Sequence, residues 1–218
     1  MICVVTAGPT YEPLDGARRL TNFSTGQLGT DLANFLAARG HEVTLLIGQQ
    51  ASYPGERHAQ SVETFTTTAN LRAKLEEFGG KKVDAVFHAA AVSDFYFGKV
   101  WSRSANGELT EIKSGKISTD YGTLLTELIP TKKIITSLRD WFPKSHITGW
   151  KYEVEGERAD VVRAAEKQIA TCLTNACVAN GPAYGDGFGL VTRNARSGAC
   201  AHMANADALF EALERAIR

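Results

Sequence analysis

Two apolar runs separated by one amphipathic stretch fill the first 48 residues and leave few folds open. Residues 2–6 (ICVVT) read as a buried parallel strand. Residues 25–39 read as a helix, with Leu28, Leu32, Phe35 and Leu36 at i, i+4, i+7 and i+8 on one face and Gly40 as its stop. Residues 41–48 (HEVTLLIG) form a second strand. Strand, helix and strand in this order make a βαβ unit, whose crossover favours parallel strands with the helix packed on one face.

The alternation continues down the chain. Residues 62–66 suggest a weak strand, and Leu71, Leu75 and Phe78 mark a helix ending at Gly79 and Gly80. VDAVFHAAAVSDF, residues 83–95, reads as one strand that turns polar at Ser93 and Asp94. Residues 97–127 alternate without helical period and predict an extended or hairpin-like, partly mobile arm. A helix is expected over 132–141 on the face Ile134, Ile135, Leu138 and Trp141, then a strand in HITGWKYEV and a helix over 158–172. ACVANG and GFGLVTR read as late strands, and residues 205–217 as a closing helix with Asn205 as N-cap and Leu209, Phe210 and Leu213 inward. The expected architecture is a three-layer α/β domain over 1–218, with a mostly parallel sheet and helices on both faces.

Anything such a domain binds must be held locally. Lys+Arg and Asp+Glu both number 24, which argues against a broad nucleic-acid surface. No apolar run reaches the roughly 20 residues of a membrane helix, and MICVVTAG lacks the basic start and long apolar core of a signal peptide. Cys3, Cys172, Cys177 and Cys200 include no CxxC pair, so free thiols in a reducing cytoplasm are the expectation.

The segment between the first strand and the first helix carries the chemistry. In TAGPTYEPLDGARRLTNFSTGQLG, residues 6–29, a polar loop runs into Ser24, Thr25 and Gly26 at a helix start. The first N–H groups of a helix lack internal partners and favour an anion, and Gly26 and Gly29 allow close approach. A capped helix start with glycine for packing is the plain alternative. No GxGxxG follows the first strand, and LLIGQQ offers no acid for a ribose hydroxyl, which argues against a nicotinamide dehydrogenase. No GxxxxGK[ST] is present either.

This opening resembles that of phosphopantothenate–cysteine ligases (phosphopantothenoylcysteine synthetases), the DNA/pantothenate metabolism flavoprotein C-terminal-domain family, whose members begin TAGGTxEPxDxVRxxxNxSSGxxG. Further similarities follow in order: HAAAVSDFY at 88–96, GKIST at 115–119, ITGWKYEVEG at 147–156 and CVANG at 177–181. The resemblance implies a Rossmann-like fold and a stand-alone ligase, without the flavin-dependent decarboxylase to which many bacteria fuse this domain. It implies activation of the 4′-phosphopantothenate carboxylate as an acyl-nucleotide with CTP or ATP and Mg²⁺, then amide formation with L-cysteine, in a cytoplasmic homodimer with the arm at the contact or over the site.

The resemblance also implies roles. Asn22, Ala90 and Lys116 are the catalytic candidates, with Asn22 on the carboxylate or acyl carbonyl and Lys116 neutralising phosphate from a flexible segment. Gly8, Ser24, Gly26, Gly29, Ala89, Asp94, Lys132, Lys133, Ile134, Ile135, Trp150 and Lys167 would hold nucleotide, Asp94 with a link to the metal. Arg18, Asn22, Ala91 and Asn180 would hold substrate. Each has a bland alternative: a turn for Asn22, a solvated loop for Lys116, a cap for Asp94, packing for Trp150 and the alanines.

The chain departs from the family where cations are expected. Gln27 replaces a basic residue in the glycine turn, KIST has one lysine where bacterial relatives often have three, and a lysine late in the 158–172 helix has no clear counterpart. Cys172 lies near its place, and Lys167 covers an earlier one. These losses leave open a nucleotide-binding paralogue without ligase turnover. An oxidoreductase using NAD(P) or flavin is the alternative of another class.

Overall fold

The computed structural model describes residues 1–194 and 199–218. The first strand, β1 (Ile2–Ala7), leads into a small hairpin, β2 (Tyr11–Pro13) and β3 (Arg19–Thr21), and then into α1 (Gln27–Ala38). Next come β4 (Glu42–Gly48), β5 (Ser61–Phe65), α2 (Thr68–Glu77) and β6 (Ala85–His88). Three antiparallel strands follow: β7 (Phe95–Arg103), β8 (Leu109–Glu111) and β9 (Thr123–Pro130). The chain ends with α3 (Leu138–Trp141), β10 (His146–Tyr152), α4 (Arg158–Cys172), β11 (Ala176–Asn180), β12 (Phe188–Thr192), β13 (Ala201–Met203) and α5 (Ala206–Ile217).

The central sheet has eight strands in the order β13-β12-β11-β10-β6-β1-β4-β5. All neighbours from β11 to β5 pair parallel, and β12 and β13 close one side antiparallel. Side chains alternate across the sheet, so the apolar strands feed two cores. Val5, Ala7, Leu45 and Phe87 pack with Leu32 and Leu36 of α1 and Leu209 and Leu213 of α5. Val4, Leu46, Val86 and Ile147 pack on the other face with Leu71, Leu75, Ile134 and Leu138. Val161, Ala165 and Ile169 of α4 cover Cys177 and Ala179. The result is the expected three-layer, mostly parallel α/β fold.

Two expectations are corrected, and the hairpin-like reading of the arm is met. The strand expected over 83–95 is regular only to His88; beyond it the Ala89 and Ala91 N–H groups still donate to the Thr6 and Gly8 carbonyls, but the pairing thins to an isolated parallel bridge between Pro9 and Ala91. The helix expected over 132–141 is a 3-10 turn at Ile134–Thr136 followed by one turn of α3. Its apolar face was read correctly, but the Thr136 hydroxyl donates to the Lys133 carbonyl at 2.7 Å, a local bond that competes with the helical ladder. The 97–127 segment is an organised three-stranded sheet, with Phe97 opposite Leu128 and Trp101 between Leu125 and Glu111. The β2–β3 hairpin and the short β13 carry no periodic signal that sequence reading could use.

The closing helix follows its expected design. The Asn205 side chain accepts from the Ala208 N–H at 2.9 Å, and Leu209, Phe210 and Leu213 are buried.

Candidate active site at the sheet switch point

From β1 the chain moves one way to β4 and β5, then returns to place β6 on the other side of β1. Ligands of open α/β sheets sit beyond the carboxyl ends of strands at such a reversal. Ala7, Gly8, the start of α1 and residues 89–91 all meet here.

Gly26 caps α1 in a left-handed conformation with φ +83°, which glycine adopts without strain. The first intrahelical bond runs from the Thr30 N–H to the Gly26 carbonyl at 3.1 Å, so the earlier amides lie outside the helical ladder. Gly29 is a packing glycine: a Cβ there would lie 2.6 Å from the Ala7 Cβ. Gly8 lies against Gly48 and Ala51 at the end of β1. Ser24 is half-buried just ahead of the turn, and Gln27 is exposed.

Residues 89–91 line the end of β1 through backbone. The Ala89 N–H donates to the Thr6 carbonyl, the Ala90 N–H to the Thr6 hydroxyl at 3.1 Å, and the Ala91 N–H to the Gly8 carbonyl at 3.0 Å. The Asn22 side-chain amide donates to the Ala91 carbonyl at 3.1 Å, across 69 residues of chain. Two candidates named separately from sequence therefore touch.

Beside this strand end lies a crevice of about 110 Å³. Ala90, Asp94, Lys133, Ile134, Ile135 and Trp150 line it, six of the sequence candidates. Lys133 holds its ammonium 3.8 Å from an Asp94 carboxylate oxygen at the exposed rim. Trp150 is half-buried, and its indole N–H is buried without a partner among the described residues. Lys132 is exposed, and no long helix starts beside it, so the anion-binding helix start expected over 132–135 is absent.

Arg18 and Lys116 lie in two loops that are fastened together. The Arg18 guanidinium engages Asp15 and donates to the Ile117 carbonyl at 2.6 Å. The Asp15 carboxylate also accepts the Ile117 N–H at 3.1 Å, and the Gly16 N–H reaches the Gly115 carbonyl at 2.8 Å. The Arg18 side chain beside Asp15, with the backbone N–H groups of Ala17, Ile117 and Arg18, holds that carboxyl far below the usual carboxylate range. The loop bearing Lys116 is thus fixed to the loop that continues to Asn22, with Lys116 itself exposed. Asp15 was quoted in the opening motif without a role.

Lys167 is exposed on α4, and the adjacent Gln168 lines the crevice. Gln168 lies over Gly149 of β10, where a Cβ would sit 2.3 Å from its Nε2. Asn180 ends β11 with its side-chain oxygen buried and, among the described residues, unpartnered, which suits a donor on a ligand. His88, Val92, Ser93 and Thr131 also line the crevice and were missed as site residues. His88 opens the quoted HAAAVSDFY segment, so it was readable there; Gln168 had no local signal. Among the described residues no three His, Cys, Asp or Glu side chains gather as a metal-holding group. Asp94 fits a magnesium ion that arrives with phosphate ligands and borrows one carboxylate.

A mostly parallel sheet whose reversal point carries a glycine turn, backbone-lined strand ends and a small crevice defines a Rossmann-like α/β domain. A family model for the DNA/pantothenate metabolism flavoprotein C-terminal domain matches residues 2–204, and the chain belongs to that family. It is 38% identical over 177 residues to the coenzyme A biosynthesis bifunctional protein CoaBC of Thermococcus kodakarensis, covering 81% of this chain and 40% of that protein. The chain spans about two fifths of the length of this relative. Its fold superposes on the crystal structure of the DNA/pantothenate metabolism flavoprotein from Streptococcus pneumoniae with a TM-score of 0.81 and 26% identity, over 99% of this chain and 97% of that one. A Cab2 variant in complex with phosphopantothenate-cysteine shares the fold at a TM-score of 0.72 and 16% identity, over 99% of this chain and 84% of that one. Among the described residues no helix is long and apolar enough to cross a membrane.

Proposed function

We propose that this chain is a phosphopantothenate–cysteine ligase of coenzyme A biosynthesis. It would activate the 4′-phosphopantothenate carboxylate with CTP or ATP as an acyl-nucleotide, release pyrophosphate, and pass the acyl group to the amine of L-cysteine. The observation that carries this reading is the Asn22–Ala91 contact at the sheet reversal, beside a crevice lined by six of the sequence candidates. It places an amide donor next to a strand end where an acyl carbonyl can lie against backbone. The relatives named for coenzyme A biosynthesis support the same reading.

The roles follow from placement. The α1 turn at Gly26 and Gly29 offers backbone N–H groups to phosphate, Gly8 and Ala89 flank it without side chains that would crowd it, and Lys133 and Lys132 add charge at the rim. Magnesium supplies charge neutralisation when bound with the nucleotide, and Asp94 would contribute one oxygen. Asn22 orients the carboxylate, Ala90 and Ala91 leave room for it, and Lys116 neutralises phosphate charge. Arg18 sets the position of the Lys116 loop. The exposed apolar side chains of the arm, Phe95, Tyr96, Leu125 and Leu128, favour burial in a homodimer. A cytoplasmic location fits the free thiols.

The test is pyrophosphate release that needs phosphopantothenate and nucleotide together, with amide product appearing on addition of cysteine. Lys116→Ala and Asn22→Ala are expected to lower it by about 10²–10³. Nucleotide binding without turnover would identify a non-ligase paralogue, and tight binding of NADPH or FMN instead would identify an oxidoreductase.

A further inference from the structure

We propose that His88 and Gln168 are the residues that read the nucleobase, as a neutral donor and acceptor in the crevice, while phosphates stay at the lysine-bearing rim. This rests on the nucleotide reading above. The His88 side chain lines the crevice, yet the residue is only 6% exposed. Its Nδ1 lies 2.9 Å from the Thr6 hydroxyl oxygen, which also accepts the Ala90 N–H. Thr6 is fully buried, and among the described residues its hydroxyl hydrogen has one acceptor, His88 Nδ1. The ring proton therefore sits on Nε2. Burial keeps the ring neutral, with its pKa pushed down to about 4. Among the described residues no partner takes the Nε2–H.

The second group arrives from α4. Gly149 stands beside His88 in the parallel register and has no side chain, which opens the space that Gln168 enters. Gln168 Nε2 donates to the Cys177 sulfur at 3.1 Å, and that bond orients the amide, whose oxygen has no donor among the described residues. A neutral N–H and a neutral C=O suit a neutral edge that offers one acceptor and one donor, as cytosine and adenine both do. They suit phosphate poorly, because phosphate offers no donor to the amide C=O and the one lysine of the lining, Lys133, is paired with Asp94 at the exposed rim. Trp150, Ile134 and Ile135 supply apolar walls for the faces of a ring. The crevice has room for a ring system, not a whole nucleotide.

The experiment uses calorimetric titration of the full chain with CTP, ATP and inorganic tripolyphosphate, and ¹⁵N-imidazole NMR of the unaltered chain with cytidine and adenosine. His88→Phe and Gln168→Leu are expected to weaken the preferred nucleotide about tenfold and leave tripolyphosphate within twofold. The His88 Nε2 resonance is expected to move on addition of the matching nucleoside. Equal weakening of tripolyphosphate, or an unmoved Nε2 resonance while the nucleotide binds, overturns the assignment and leaves the ligase reading standing. If the unaltered chain binds no nucleotide, the ligase reading falls and this assignment falls with it.

Discussion

Asp15 and Ile117 are joined across 102 residues, the Asp15 carboxylate accepting the Ile117 N–H at 3.1 Å. Arg18 completes the clasp by holding the same carboxylate and the Ile117 carbonyl. The Asp15 side chain is 1% exposed, so removing its charge leaves these donors without an equivalent acceptor. Asp15→Asn is expected to release the Lys116 loop. Steady-state kinetics should show kcat reduced about tenfold or more with nucleotide KM little changed, since loop placement serves the reacting state.

The same carboxylate sets an acid limit. Its folded-state pKa is lowered, so its contribution to stability is fully present above the unfolded value of about 4 and fades as pH falls below it. Urea midpoints measured from pH 6 to pH 3 should fall for the native chain. Asp15→Asn should be less stable at pH 6 and flatter across that window.

His88 acts in a higher window. Burial depresses its folded pKa to about 4, and an unfolded histidine titrates near 6.5. Below about pH 6.5 the unfolded chain takes up a proton that native His88 refuses, so stability is lost as pH falls toward 4, by up to roughly 3 kcal/mol. His146, lowered by burial and then by Arg139, adds to the same slope. His88→Gln should flatten much of this loss in denaturant titrations at pH 7 and pH 5.

Gly29→Ala tests the join between α1 and β1. The added Cβ would lie 2.6 Å from the Ala7 Cβ, so the helix must shift outward. A stability loss of about 1–3 kcal/mol is expected in urea, with weaker nucleotide binding because the Gly26 turn moves too.

Arg139→Ala tests a structural knot far from the crevice. Its guanidinium donates to the carbonyls of Phe142, Pro143, Ser145 and Leu173 and to the Asn175 side chain. Losing it should cost roughly 2–3 kcal/mol in thermal or urea unfolding while nucleotide affinity stays unchanged.

The sheet, its helices and the residues at the strand ends were legible because apolar period is a local property. The ICVVT and EVTLLIG runs became β1 and β4, and the apolar faces of α1 and α5 packed as their spacing required. The helix expected over 132–141 failed because hydrophobic spacing cannot register a threonine hydroxyl competing for a carbonyl. The strand expected past His88 was too long because the pairing thins there to a single Pro9–Ala91 bridge while the Ala90 N–H turns to the Thr6 hydroxyl, contacts between segments over 80 residues apart.

The sequence by itself determined the three-layer architecture, since apolar period decides which faces are buried, and the family resemblance marked Asn22, Ala91, Asp94 and Lys133 as candidates. Only the tertiary structure decided that Asp15 clasps Ile117, that Gln168 rather than Lys167 enters the crevice, and that His88 lines it with its Nδ1 beside the Thr6 hydroxyl. Those outcomes depend on which side chains meet across distant strands, and on whether a neighbour such as Gly149 leaves space, neither of which is encoded in any local run of residues.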